Sequence, residues 1–395
     1  MKRGIAEPDE IERIRTASER GLEEYLRDLR TLVDIDCGTY LPDGVNRVVD
    51  HLEQRFRSEG WTLERVAHDP PPRSQRLGDL LVATIHGDGV RRVLLVGHTD
   101  TVFPDGTAAA RPFRVEAGRA FGPGVSDMKG GLLLGLYAVR ALREANAAGF
   151  ASVTYVCNPD EEIGSPWSGP EILTRARSAD ACFVLEAARE NGDIVSARKG
   201  VVDVRLIVHG RAAHAGVEPE RGRSAALQAA HTTIALHELN GRWPGVTVNV
   251  GVIEGGTRPN VITERCELHV DVRAPTRASL EAALEAVGEV ARATVVPDTT
   301  IELQRQSGFP AMEKTDATAA LVSTAKAIAD VIGFEVRDAA TGGASDANPV
   351  AGMGIPTLDG LGPIGGGDHS PGEWLDLESI VPRTVLLAGL IASGS

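Results

Sequence analysis

The stretch Val93-Leu94-Leu95-Val96-Gly97-His98-Thr99-Asp100 decides how this chain folds. Its apolar run carries no charge, as expected of a strand covered on both faces of a sheet. It stops on an imidazole and a carboxylate two positions apart, and residues two apart on a strand point the same way. A carboxylate that accepts the second N–H of a histidine fixes its tautomer and makes it a better metal ligand. A second stretch, Gly124-Val125-Ser126-Asp127-Met128-Lys129-Gly130-Gly131, brings another acid from a Gly-rich turn just before a helix. The pattern suits a metal site at the open edge of an α/β sheet.

Outward from this strand, helical and extended patterns alternate. Helical spacing covers 9–35 and 43–59, and Pro70-Pro71-Pro72-Arg73-Ser74 reads as a loop. Strands are expected at 80–86, 92–97, 152–157 and 181–185, with helices at 128–145 and 169–177. This order predicts a mostly parallel sheet flanked by helices on both faces. Near Gly200 the pattern changes. Strands at 201–209, 247–254, 265–273 and 300–306 and helices at 223–239 and 278–293 give β-α-β-β-α-β, the ferredoxin-like signature. The α/β character resumes with a helix at 315–331, a strand at 335–338 and a last helix at about 378–392. The expected organisation is therefore an α/β domain over 1–199 and 308–395, interrupted by an α+β domain over 200–307.

Composition narrows the function classes. A chain of 395 residues exceeds one ordinary core, and 42% hydrophobic residues suffice for two. The net charge of −14 disfavours nucleic acid or an anionic membrane as partner. Cys37, Cys157, Cys182 and Cys266 form no C-x-x-C pair, and read as buried free thiols in a reducing compartment. No signal-like segment and no membrane-length apolar span is visible, so a cytoplasmic protein is expected.

Further acids and a histidine recur at one kind of place. Asn158-Pro159-Asp160-Glu161-Glu162-Ile163-Gly164-Ser165 follows one strand, and Glu186 ends the next. His369 sits in Gly365-Gly366-Gly367-Asp368-His369-Ser370-Pro371. Ligands of open α/β sheets gather at the carboxyl ends of strands. Two histidines with several carboxylates and no thiolate match one or two borderline divalent ions, zinc first. Each residue alone has a duller reading: Asp127 as a helix cap, Glu161-Glu162 as a solvated charge pair, His369 as a brace for its loop. His214, in Gly210-Arg211-Ala212-Ala213-His214-Ala215-Gly216, is either a loop brace or a donor to a developing oxyanion. His51, His68, His86, His209, His231, His237 and His269 are assigned no role.

At these residues the chain resembles the co-catalytic dinuclear zinc aminoacylase and carboxypeptidase family, which includes glutamate carboxypeptidase, succinyl-diaminopimelate desuccinylase and acetylornithine deacetylase. His98-Thr99-Asp100-Thr101-Val102, Gly122-x-Gly124-x-x-Asp127-Met128-Lys129-Gly130-Gly131, Asp160-Glu161-Glu162-x-Gly164-Ser165 and Ala213-His214-Ala215-Gly216 occur in the family's order. The resemblance runs from about residue 20 to the C-terminus. It implies a zinc-peptidase-like fold whose inserted domain serves as lid and dimerisation domain. It implies two Zn2+, with Co2+ or Mn2+ as substitutes: His98 and Glu186 on one, Glu162 and His369 on the other, Asp127 on both. Asp100 is implied to orient His98, and Glu161 to be the general base that activates a zinc-bound water. The Asp127–Met128 peptide bond is expected to be cis. His214 is implied to reach the site of the partner subunit in a homodimer.

Asn260 and Arg273 match positions that bind the substrate's terminal carboxylate, and Gly342 and Gly343 match a backbone segment close to the substrate. A strand-edge ion pair is the plainer reading of Arg273. Among the relatives, the glutamate carboxypeptidases share the most, including Pro112-Phe113-Arg114-Val115-Glu116 and Thr341-Gly342-Gly343. Their Asp-Asp at the bridge is Asp127-Met128 here, as in the deacylases. The expected substrate is a small peptide or an N-acyl amino acid, cleaved to release a C-terminal amino acid. A deacylase or dipeptidase on the same scaffold is the alternative. A non-hydrolytic binding protein would have lost a ligand or the base, and all are present.

Overall fold

Strand Arg91–His98 lies inside a six-stranded sheet of order Thr62–Val66, Leu80–His86, Phe150–Asn158, Arg91–His98, Ala181–Val184, Thr357–Leu358. The computed structural model describes residues 8–393. Val93 to Val96 are buried on both faces, which explains the uncharged run. Phe150–Asn158 and Ala181–Val184 pair parallel with Arg91–His98, and Thr357–Leu358 pairs parallel with Ala181–Val184. The other side is antiparallel: Leu80–His86 runs against Phe150–Asn158, and Thr62–Val66 against Leu80–His86. The sheet is thus mixed, with its parallel half carrying the acids and His98.

Helices Pro8–Val33, Gly131–Glu144, Asp316–Ile332 and Ile380–Ala392 pack on one another and share one apolar core with the sheet. Local signals place their ends. Pro42 opens helix Pro42–Ser58, where a missing N–H costs nothing. The Thr315 hydroxyl accepts from the Thr318 N–H at the start of Asp316–Ile332. The helix expected over 128–145 is regular only from Gly131, because Asp127 and Met128 have non-helical backbones. The strand expected at 335–338 lies at Asp338–Thr341.

The described chain divides into two compact units. One comprises the residues up to Ser196, Lys314–Ala340 and those from Ser345; the other comprises Ala197–Glu313 and Thr341–Ala344. The second unit has its own core and a four-stranded antiparallel sheet of order Thr247–Gly255, Arg265–Ala274, Gly200–His209, Thr300–Phe309. Helices Ala225–His237 and Arg277–Arg292 pack on it. Ser224 caps the first helix, and a reciprocal Thr276–Ser279 capping box starts the second. The chain order is the β-α-β-β-α-β read from the sequence.

A further small sheet, of order Gly365–Gly366, Trp374–Asp376, Arg119–Phe121, Arg114–Glu116, is not foreseen from the sequence. Its first two strands form the hairpin that carries His369. The four cysteines are free and buried. Among the described residues no helix is long and apolar enough to cross a membrane.

Candidate metal centre

Three strand ends and two turns of the first unit converge on one cluster. His98 is the last residue of its strand and is 1% exposed. Glu161 and Glu162 open the short turn Glu161–Ile163 after strand Phe150–Asn158, and Glu186 follows Ala181–Val184 by two residues. Asp127 comes from the turn before helix Gly131–Glu144. That turn needs glycine at Gly124, where φ is 72°, and at Gly131, where an added Cβ would stand 1.8 Å from the Leu185 carbonyl oxygen. The helix start is therefore pressed against the residue preceding Glu186. The Asp127–Met128 bond is cis, as the resemblance implied. His369 takes a left-handed φ of 61° at the tip of its hairpin, a conformation that its surroundings must enforce.

Asp127 stands between the two imidazoles. Its Oδ1 lies 2.9 Å from His98 Nε2 and its Oδ2 3.1 Å from His369 Nε2. Each imidazole has a second acid beside it: Glu186 Oε1 is 3.7 Å from His98 Nε2, and Glu162 Oε2 is 3.2 Å from His369 Nε2. Glu161 joins His98 and Glu186 within 4.8 Å, and His98, Asp127 and Glu162 form a second group of the same size. Distance alone therefore does not separate Glu161 from the surrounding ligand candidates.

Asp100 does more than the sequence suggests. His98 Nδ1 lies 3.0 Å from its backbone carbonyl and 3.3 Å from its carboxylate Oδ1. The carbonyl makes the shorter contact, so the main chain as well as the carboxylate orients the ring. The same carboxylate accepts from the N–H of Glu161 at 3.2 Å, the N–H of Glu162 at 3.3 Å and the Thr39 hydroxyl at 2.6 Å. One buried acid thus holds the His98 ring and the Glu161-Glu162 turn together.

The electrostatics call for cations. Glu161 with Glu186, and Asp127 with Glu162, offer oxygens within 4.8 Å of each other. At that spacing two carboxylates repel by ~3 kcal/mol at an effective dielectric of ~20. No Arg or Lys among the described residues forms an ion pair with any of them. Burial, then the Asp127 charge, pushes Glu186 well above the ordinary carboxylate range; burial also leads the rise at Glu161. Hydrogen bonds to Asp127 and then Glu162 push His369 up to about 10. Glu162 Oε1 is buried without a hydrogen-bond partner. Such an orphaned acceptor costs ~1–3 kcal/mol or more unless something positive meets it. Both ring nitrogens of His98 face acceptors, which a neutral imidazole with one proton cannot satisfy. Imidazole nitrogens and carboxylate oxygens without thiolates are the donor set of zinc and similar divalent ions. The residues present fit that group.

The remaining expected residues lie in the second unit. His214 is exposed in its loop, and its Nδ1 accepts from the Gly216 N–H at 3.1 Å. Asn260 is exposed on the facing loop, where its main-chain carbonyl accepts from the Ala215 N–H at 3.0 Å. Arg273 is half-buried; its Nε and Nη2 pair with Asp271 at 2.9 and 3.0 Å, and its Nη1 donates to the Gly342 carbonyl at 2.9 Å. The ion pair is thus real, though it sits near the end of an inner strand paired on both sides and not at an edge, and the fork on the Nε side is taken. Gly343 is held in the same way, by Arg198 Nη1 at 3.0 Å.

Sequence reasoning missed Glu373, Asp346, Thr39 and Arg198. Asp346 accepts from the Ser165 hydroxyl at 2.5 Å and from the Asn158 amide, and burial pushes it up to about 7. It braces the segment holding Glu161 and Glu162. Its signal was present in Gly342-Gly343-Ala344-Ser345-Asp346, where an acid closes a Gly-rich run.

Known proteins are similar to this chain along most of its length. The profile of peptidase family M20/M25/M40 matches residues 94–393. Carboxypeptidase G2 of Pseudomonas sp. (strain RS-16) is 30% identical over 372 residues, 93% of this chain and 88% of that protein. The crystal structure of aminopeptidase PepT from Bacillus cereus superposes with a TM-score of 0.76 at 25% identity, covering 94% of this chain and 98% of the other. A tripeptidase from Staphylococcus aureus has the same fold, with a TM-score of 0.78 at 22% identity over 94% and 97% of the two chains. The chain belongs to peptidase family M20/M25/M40 and is a hydrolytic enzyme of that metal-dependent family.

Proposed function

We propose that the enzyme hydrolyses an amide or peptide bond and releases an amino acid with a free α-carboxylate, as a glutamate carboxypeptidase does. The observation that carries this reading is the Asp127 carboxylate set between His98 and His369, each with a further glutamate at its side. The likeness to carboxypeptidase G2 supports it. His98 and Glu186 would hold one divalent ion, Glu162 and His369 the other, and Asp127 both; zinc is the first choice, with cobalt or manganese as substitutes. Ions so held supply Lewis acidity and lower the pKa of a water towards ~7.

The chain's own groups do the rest. Glu161, half-buried and held above the ordinary carboxylate range, accepts the proton of the attacking water and returns it to the leaving nitrogen. Asp100 fixes where Glu161 stands by accepting its N–H. His214 accepts at Nδ1, so its proton resides on Nε2, the tautomer a donor to an oxyanion requires. Arg273 has five N–H groups, of which Asp271 and Gly342 engage three. The two left, one on each Nη, suffice for a substrate carboxylate, with Asn260 beside them in role. Gly342 and Gly343, their carbonyls already held, would offer backbone to the substrate.

A homodimer built through the second unit is part of this reading. Leu227 and Ile234, seven apart on helix Ala225–His237, are exposed, as are Val252 and Ile253 on the edge strand Thr247–Gly255 packed beside that helix. A cytoplasmic setting suits the four unpaired buried cysteines. A deacylase or dipeptidase is favoured by one observation, Met128 where glutamate carboxypeptidases carry a second Asp. A panel of N-acyl amino acids and dipeptides with zinc- or cobalt-loaded enzyme, scored by the amino acid released, tests the reading. Release from N-acyl or peptidyl glutamate supports the carboxypeptidase; preference for other acyl groups or free dipeptides supports the alternative. No release from any member contradicts both.

A further inference from the structure

Glu373 is 1% exposed, yet it meets no cationic side chain among the described residues. Its carboxylate is spent entirely on backbone. Oε2 accepts from the Gly124 N–H at 2.9 Å, and Oε1 accepts from the N–H of Ser126 at 2.8 Å and of Asp127 at 3.0 Å. These three amides belong to the irregular turn before helix Gly131–Glu144, where no regular helical ladder exists to use them. Main-chain N–H groups turned to one side can cradle an anion, and here the anion is a side chain, with only the Val125 N–H of the run turned elsewhere, to the Gly122 carbonyl.

The origin of that side chain matters. Glu373 lies four residues after His369 and next to strand Trp374–Asp376, in the hairpin that presents His369. One carboxylate therefore ties the hairpin of one candidate ligand to the main-chain N–H of another. Burying a carboxylate costs several kcal/mol unless its lone pairs are met. An apolar residue would fill the same space without that cost. What an apolar residue cannot do is fix the Asp127 backbone relative to the His369 loop, and thereby the 3.1 Å approach of their side chains.

We propose that Glu373 is a positioning residue for the metal pair: it clamps the Asp127 turn to the His369 hairpin, so that the Glu162–His369 site forms at the right distance from the His98–Glu186 site. This rests on the two-metal reading above. Its signature is selective. Loss of the clamp weakens the site that includes His369 and spares the one built on the strand end at His98.

The test is zinc titration of metal-free wild type, Glu373→Ala and Glu373→Gln against a chromophoric chelator, with circular dichroism melting and electron paramagnetic resonance of the cobalt(II)-loaded forms. Wild type is expected to take two equivalents. Glu373→Ala is expected to keep one tight equivalent and to bind the second at least about tenfold more weakly, with loss of spin coupling between the cobalt ions. Glu373→Gln keeps one acceptor oxygen for Ser126 and Asp127 but turns an NH2 towards Gly124, so an intermediate loss is expected. Should Glu373→Ala fail to fold, Glu373→Gln carries the comparison. Two equivalents of wild-type affinity in both variants overturn the inference. So does an equal weakening of both sites in step with a lower melting temperature, which marks an ordinary folding residue. A wild-type protein that takes fewer than two equivalents overturns the two-metal reading itself, a result distinct from failure at Glu373.

Discussion

The two units hold their candidate residues in opposite ways. In the first, His98, Asp127, Glu162 and Glu186 sit at strand ends and in a tight turn, largely buried and with too many negative charges for the cations present. In the second, His214 and Asn260 are exposed on loops and Arg273 is half-buried, each with its main partner in its own unit. One region is a fixed sink for positive charge. The other offers donors that still have N–H groups to spare. The difference teaches where to look for each effect: changes at the candidate ligands of the first unit, and at the groups that hold them, should move metal content, and changes in the second should move turnover or substrate binding and leave metal content alone.

The contrast can be broken or sharpened experimentally. Removing divalent ions with a chelator should abolish hydrolysis, and zinc or cobalt should restore it, as read by released amino acid. Glu161→Ala should lower kcat by ~10²–10⁴-fold while metal analysis still finds the wild-type content. Retained turnover in the loaded variant would contradict the assignment of the base. His214→Ala should lower kcat by ~10²-fold or more with metal affinity untouched; a loss of metal there would erase the distinction between the units. Asp100→Asn should weaken metal binding by ~10–100-fold, measured by chelator competition, because it disturbs both the His98 ring and the turn of Glu161 and Glu162. Thr276→Ala should cost only ~1 kcal/mol of stability in thermal melting by removing the cap of helix Arg277–Arg292, with metal binding unchanged.

Much of the first region is legible in the sequence because its signals are local. A charge-free run ending in His98 announces a buried strand and a ligand at once, and Leu80–His86 starts and stops where its apolar pattern does. Strands of two or three residues, such as Gly365–Gly366 and Trp374–Asp376, are too short to show an alternation, so in sequence the hairpin behind His369 looks like a Gly-rich loop. The antiparallel direction of Leu80–His86 was equally invisible, since burial on both faces looks the same in either orientation. Glu373 and Asp346 escaped for a different reason. They bind backbone and hydroxyl groups more than 180 positions away, and no spacing rule connects such partners. Arg273 shows the reverse case: its residue type suggested a free fork for a carboxylate, whereas its near neighbour Asp271 already occupies one side of it.

The central claim is that Asp127 lies between two divalent ions. Anomalous diffraction at the zinc edge from zinc-loaded crystals tests it most directly. Two peaks are expected, one on each side of the Asp127 carboxylate, the first at ~2.0–2.1 Å from His98 Nε2 and the second at the same distance from His369 Nε2. A single peak, or none within coordination distance of Asp127, would contradict the account.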